Sequence, residues 1–463
     1  MSDTRDLLRR TADHSADFLE ALGERPVYPD VSVEELREAL GGPLPEAPAD
    51  AATVVDELVS SADPGVVATP SGRYFGFVIG GAVPAALAAD WLTSTWDQNA
   101  GLYVGGPSAS VVEEIAGGWV RELLRLPPEA SFAFVTGCQM ANFTALAIAR
   151  QHVLGQAGWD VNADGLAGSP RIRVLCGAKV HVTVTRALRL LGLGAPSLVE
   201  ADDQGRMVVD SLRRALGESS GPTIVCAQAG EVNTGAFDPL PEIAAVAHGA
   251  GAWLHVDGAF GLWAAASPGL AHLVEGVEAA DSWATDAHKW LNVPYDCGIV
   301  LCRHPDSHRR AIGAQAVYLM QDDHGVRDQV DWTPEFSRRA RGLTVYAAIR
   351  SLGRQGVADL VERTCAHARR FANELAVLPG FELLNEVVLN QVLFRLESDE
   401  RTDEVLRRVQ DSGEAWLSGT TWDGRRAIRI SVSNWQTSDD DVTRTVAAFE
   451  AACRAAYGQA PAR

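Results

Sequence analysis

The sequence lacks the marks of several protein classes. Its seven cysteines, at 138, 176, 226, 297, 302, 365 and 453, are odd in number, form no CxxC pair and have no histidine companions at zinc spacing. That argues against a disulfide framework or a structural zinc site and leaves reduced, mostly buried thiols. No stretch approaches the ~18 uninterrupted apolar residues that suggest a membrane-spanning helix, because the Ala-rich runs are broken by Asp90, Asp97 or glycine. Met1 to Arg10 contains no apolar signal-peptide core. A cytoplasmic chain with no membrane partner is expected. Basic residues are scarce too: 40 Lys and Arg against 60 Asp and Glu give a formal net charge of -20. Nucleic-acid binding needs clustered Lys and Arg to face phosphates, so no nucleic-acid partner is expected.

What is present is an ordinary globular composition, with 47% hydrophobic and 22% charged residues over 463 positions. Residues 1–84 read as an N-terminal helical arm, with amphipathic helices at Asp6 to Leu22 and Val33 to Leu40 and a Pro-rich bridge. The arm has too little core to stand alone. Over residues 85–345, helical stretches alternate with short apolar runs: Ser131 to Thr136, Arg171 to Cys176, Thr223 to Ala227, Ala252 to Val256, Ser282 to Thr285 and Gly298 to Cys302. That rhythm predicts a large α/β domain with a mainly parallel sheet between helices. Residues 346–463 read as a smaller α/β domain. It has helices at Gly342 to Leu352, Val357 to Leu378, Thr402 to Val409 and Ser438 to Ala455, and strands at Phe381 to Leu384, Gln391 to Leu396 and Ala427 to Val432.

The richest stretch is His255-Val-Asp-Gly-Ala-Phe-Gly261, followed by Asp286-Ala-His-Lys-Trp290. Asp257 follows an apolar strand and Lys289 follows another, so both are expected at the carboxyl edge of the sheet, where open α/β folds bind ligands. A lysine that forms a Schiff base and a carboxylate that keeps a pyridine nitrogen protonated are what a pyridoxal phosphate site requires. The plainer alternative is a salt bridge or two solvated loop charges. Three further segments favour the site. Thr136 to Asn142 lies between a strand and the helix Phe143 to Leu154, where backbone N–H groups can cradle a phosphate, although any strand-to-helix turn looks alike. His181 follows a strand and offers an imidazole face to an aromatic ring, or is a partly buried core histidine. Glu231 to Asp238 brings Asn233, Thr234 and Asp238 to the same edge.

Together these segments resemble the group II pyridoxal-phosphate-dependent decarboxylases, the family of aromatic-amino-acid, histidine and glutamate decarboxylases. The resemblance runs from about Arg73 to Ala455 and rests on HVDGAFG, DAHKWLNVPYDCG and the SRRARG run at Ser337 to Gly342. It implies a type I aminotransferase-like fold and a homodimer with its active sites at the interface, the arm wrapping the partner. It implies further that Lys289 carries the cofactor, Asp257 pairs with the pyridine nitrogen, Ala259 and His181 flank the ring, and Cys138, Gln139, Thr234 and His288 lie in the cofactor shell. Arg429 matches a strand arginine that reaches the substrate carboxylate in some relatives, a role its fork suits, or it is a surface-strand residue. Phe77 and Tyr103 match positions lining the side-chain pocket, or are core aromatics.

One departure bears on the reaction. Decarboxylating relatives carry a mobile-loop Tyr ahead of the SRR run that protonates the product carbon, and no Tyr lies between Leu319 and Arg341 here. Tyr318 is too early to replace it. His324 is the nearest titratable candidate, with Asp331 nearby, since imidazole titrates near neutrality. The expected activity is decarboxylation of an L-amino acid to a primary amine and carbon dioxide. The alternatives are a lyase or an oxidative deaminase on the same fold, or an inactive cofactor-binding relic.

Overall fold

A computed structural model describes residues 2–218, 220–314, 325 and 327–458. Two sheets organise the chain. In chain order the strands are β1 (Tyr74–Phe75), β2 (Ser131–Val135), β3 (Arg173–Gly177), β4 (Ser197–Val199), β5 (Thr223–Gln228) and β6 (Trp253–Asp257). There follow β7 (Ser282–Asp286), β8 (Gly298–Cys302), β9 (Glu382–Leu383), β10 (Gln391–Arg395), β11 (Trp416–Trp422) and β12 (Arg425–Ser431).

The larger sheet has seven strands in the order β2-β8-β7-β6-β5-β3-β4. Its strands run parallel except β8, which is antiparallel to both β2 and β7. Every residue of β2, β5, β6, β7 and β8 is buried. That is why these strands read as continuous apolar runs rather than alternating ones. The expected mainly parallel α/β architecture is therefore present. Because β2, β3, β5, β6 and β7 share one direction, their carboxyl ends open on one edge, and the motif residues follow those ends.

The smaller sheet, β1-β11-β12-β10-β9, is antiparallel except where β1 lies parallel to β11. Tyr74 and Phe75 sit in the segment expected to be a helical arm, yet they pair with Trp416 and Leu417 of this sheet. A third arm helix, Ala51–Ala62, lies just beyond the Pro-rich bridge, where no helix was expected. It is capped by Asp50, whose carboxylate accepts from the backbone N–H of Ala52 and Thr53 at 3.1 Å each. The helix Gly342–Leu375 is continuous apart from a break at Gly353, whose φ of 63° lies in the left-handed region that a residue without Cβ adopts freely.

The SRRARG run consists of three anchors. Arg338 is buried against Glu113 at 2.6 Å and donates to the carbonyls of Ala100 and Phe134. Arg339 pairs with Asp90 and Arg341 with Asp296. These contacts tie the start of the long helix to the edge of the larger sheet, where Phe134 of β2 accepts from Arg338.

Candidate active site

Asp257 is the last residue of β6, and its carboxylate is 5% exposed. One oxygen accepts from the Ala259 N–H at 3.1 Å and the Cys138 thiol at 3.5 Å, and the other accepts from Asn142 Nδ2 at 3.0 Å. Asn142 is itself held by His255, whose Nε2 lies 2.9 Å from the amide oxygen; burial pushes the His255 pKa down to about 4, so the imidazole is neutral. Among the described residues no cation pairs with Asp257.

Lys289 lies three residues beyond β7. Its Nζ is 3.0 Å from Oδ2 of Asp286, the last residue of β7. Burial alone would lower the lysine's pKa, but the carboxylates of Asp286 and Asp257 outweigh it and hold the pKa up. The other Asp286 oxygen accepts from the backbone N–H of Cys138 at 2.6 Å and faces His288 Nε2 at 3.4 Å. The His288 Nδ1 accepts from the Cys297 N–H at 3.0 Å, which leaves the proton on Nε2, toward Asp286. The backbone at Gly80 packs closely on that of the lysine, where a Cβ would lie 1.9 Å from the Lys289 carbonyl oxygen.

His181 caps the helix Val182–Leu190, with Nδ1 2.8 Å from Thr183 Oγ1. Thr183 Oγ1 lies 3.3 Å from Asn142 Nδ2, which links His181 to Asp257; burial lowers the His181 pKa, and the charges of Asp257, Lys289, Arg429 and Asp286 also act on it. Gln139 donates to the Thr183 carbonyl at 3.1 Å. The helix Cys138–Gln156 begins five residues earlier than expected, so most of the supposed phosphate turn is its first helical turn. Arg429, on β12, is only 7% exposed. Among the described residues its side chain makes one hydrogen bond, from Nη1 to Asn233 Oδ1 at 3.3 Å, and its Nε has no partner; burial lowers its pKa.

The remaining expected residues have the following surroundings. The Thr234 hydroxyl donates to the Gln204 carbonyl at 2.7 Å and lies 3.2 Å from a Glu231 carboxylate oxygen, and among the described residues no contact links it to Lys289 or Asp257. Phe77 is 59% exposed and stacks on Trp416 at 5.3 Å. Tyr103 begins a short helical turn, and its backbone N–H donates to Asp328 at 2.7 Å. His324 and Tyr318 lie outside the described residues. Two groups escaped the sequence reading. Asp286 ends a strand just before the lysine, the same signal that pointed to Asp257. Tyr295 stacks its ring on His288 at 4.3 Å.

Residues 34–397 match the pyridoxal-dependent decarboxylase conserved domain. The chain belongs to this family. It is 28% identical to tryptophan decarboxylase 1 of Oryza sativa subsp. japonica over 93% of this chain and 90% of that protein. It is 31% identical to L-2,4-diaminobutyrate decarboxylase of Rhizobium meliloti over 80% of this chain and 75% of that one. Among solved structures, Oryza sativa TDC with PLP and tryptamine matches 99% of this chain and 98% of its own, with 25% identity and a TM-score of 0.91. The protein is thus a pyridoxal-phosphate-dependent carboxy-lyase with the fold of that class.

The residues present suit the cofactor on their own chemistry. A buried carboxylate without a cation is costly, and Asp257 is such a group, ready for a protonated ring nitrogen. Lys289 is the lysine its field contains. The Cys138–Gln156 helix presents its N-terminus beside them, as anion binding requires. Among the described residues no cluster of His, Cys, Asp or Glu is arranged to hold a metal ion, and no helix is long and apolar enough to cross a membrane.

Proposed function

We propose that the protein removes the carboxylate of an L-amino acid as carbon dioxide and releases the primary amine. The observation that carries this reading is that one edge of the larger sheet holds Lys289 and the cation-free buried Asp257, with the buried Arg429 of β12, in the smaller sheet, near enough to act on His181 beside them. Bound pyridoxal phosphate supplies an electron sink for the bonding pair left on Cα when carbon dioxide departs. Lys289 holds the cofactor covalently and yields it to the substrate amine. Asp257, oriented by Ala259, Cys138 and Asn142, keeps the ring nitrogen protonated. His181, its ring fixed by Thr183, packs against one face of the ring and Ala259 against the other. Cys138, Gln139 and His288 take the phosphate. No cofactor role is proposed for Thr234, whose hydroxyl is committed to the Gln204 carbonyl. Phe77 and Tyr103 line the approach for the substrate side chain. Incubation of the cofactor-loaded protein with the common amino acids, followed by mass spectrometry, tests the reading. One amino acid, or one narrow class, should give a product lighter by carbon dioxide.

Arg429 takes the substrate carboxylate. A charge-assisted hydrogen bond is worth about 1.5–3 kcal/mol, so Arg429→Gln should raise KM roughly ten- to a hundredfold. The same change should hold or raise the melting temperature, because an underbonded buried cation is a cost to the folded state. Loss of stability with unchanged KM would make Arg429 a structural residue.

The working unit we propose is a homodimer. No residue of the helices Val33–Leu40 or Ala51–Ala62 is buried within the chain. On the helices Pro84–Trp96 and Pro107–Leu123, Trp91, Leu92, Trp96, Val111 and Ile115 are all exposed. Large apolar side chains left exposed on several helices are what a second copy can cover. Sedimentation should show a dimer, and Trp96→Asp should shift it toward monomer; a fully active wild-type monomer would contradict this. The cytoplasm suits the described cysteines, all of which are free and buried.

A further inference from the structure

The Asp286 carboxylate stands at the junction of the two features a phosphorylated aldehyde needs. One oxygen takes the first N–H of the Cys138–Gln156 helix at 2.6 Å, and the other holds Lys289 Nζ at 3.0 Å. The helix has no side-chain cap from its own chain neighbours; Asp286, from a strand 148 residues away, caps it instead. The Asp286 side chain is 3% exposed and that of Lys289 20%, so the pair is shielded from screening. The groups facing it are His288 at 3.4 Å, the Cys138 thiol, Asp257 on β6, His181 and Tyr295. Burial lowers the pKa of His181 and of His288, and burial also holds the Cys138 thiol protonated. Asp286 is therefore the nearest charge opposing that of Lys289.

We infer that Asp286 is a resident counter-ion: in the cofactor-free protein it caps the helix and keeps Lys289 an ammonium, and so sets the pH at which the lysine can capture its cofactor. The inference rests on the proposed role of Lys289. Capture joins the lysine nitrogen to the aldehyde carbon and expels the aldehyde oxygen as water, and only the neutral amine can attack. The ammonium must first give its proton to solvent, and the Asp286 carboxylate opposes that loss. Asp286 is a positioning residue here, since it acts through the lysine.

The test uses the full-length protein freed of cofactor by hydroxylamine, with capture of pyridoxal phosphate followed by visible absorbance across a pH series. Asp286→Asn keeps an acceptor for the Cys138 N–H but removes the charge. Its capture midpoint should move to lower pH, and its rate at neutral pH should rise roughly tenfold or more, because an opposite charge at this distance favours the ammonium strongly. Asp286→Glu keeps the charge and should hold a midpoint close to the wild type. Deoxypyridoxine phosphate, which has the phosphate but no aldehyde, separates a change at the helix N-terminus from one at the lysine. An unmoved midpoint in Asp286→Asn overturns the inference, whether or not the affinity for the analogue changes. An equal fall of the midpoint in Asp286→Glu overturns it as well. If the wild type captures no cofactor, or borohydride fixes it elsewhere than Lys289, the reading of Lys289 falls and takes this inference with it.

Discussion

Lys289→Ala should abolish turnover, and borohydride should no longer fix pyridoxal phosphate to the protein. Lysine is the one side chain in the site that can form the covalent bond, and the chain's other lysine, Lys179, pairs with Asp423 instead. The folded state should survive the change, because Asp286 keeps its bond from the Cys138 N–H and its contact with His288. The variant should still bind the cofactor reversibly through Asp257 and the helix N-terminus. Absorbance of the dialysed protein, peptide mapping after reduction and product analysis check the three parts. Retained covalent fixation at another lysine would move the active site away from β7.

Asp257→Asn should keep covalent capture but lose most of the rate. A nearby carboxylate is worth about 1–3 pKa units to a cation it faces, so at fixed pH the protonated fraction of the ring nitrogen, and the rate with it, should fall roughly tenfold to a thousandfold. The amide still accepts from the Ala259 N–H, so the local backbone has no reason to shift. Steady-state kinetics on variant and wild type at equal cofactor loading measure this. A rate within a factor of two of the wild type would show Asp257 to be a structural carboxylate, since an amide cannot replace the lost charge.

Much of the larger sheet was legible because its strands are buried on both faces and so appear as unbroken apolar runs. β4 was not: Ser197 and Leu198 are exposed at the sheet edge and supply neither a run nor an alternation. β11 hides its periodicity behind Gly419 and neighbouring threonines, and β1 is two residues long, paired only because Trp416 and Leu417 lie beside it in space. The helix Ala51–Ala62 did announce itself, through Asp50 ahead of an apolar stretch, a cap signal that the surrounding prolines masked.

In the site, Asp257 and Lys289 could be read from strand ends, which chain order alone predicts. The Asp286 contact to Cys138 joins residues 148 apart and the Arg429 contact to Asn233 joins residues 196 apart. No local pattern encodes either contact, because the first depends on the strand order within the larger sheet and the second on the two sheets coming together. Thr234 shows the converse. It follows the right strand, yet the Gln204 carbonyl and Glu231 claim its hydroxyl.

Turnover in heavy water tests most directly the claim that this site exchanges a carboxylate for a proton. If Lys289, Asp257 and His181 carry out a decarboxylation, each carbon dioxide released should be matched by one amine bearing a single deuterium at the former Cα. Carbon dioxide without matching amine, an aldehyde as the main product, or an amino acid that exchanges its Cα hydrogen but keeps its carboxylate would contradict the account.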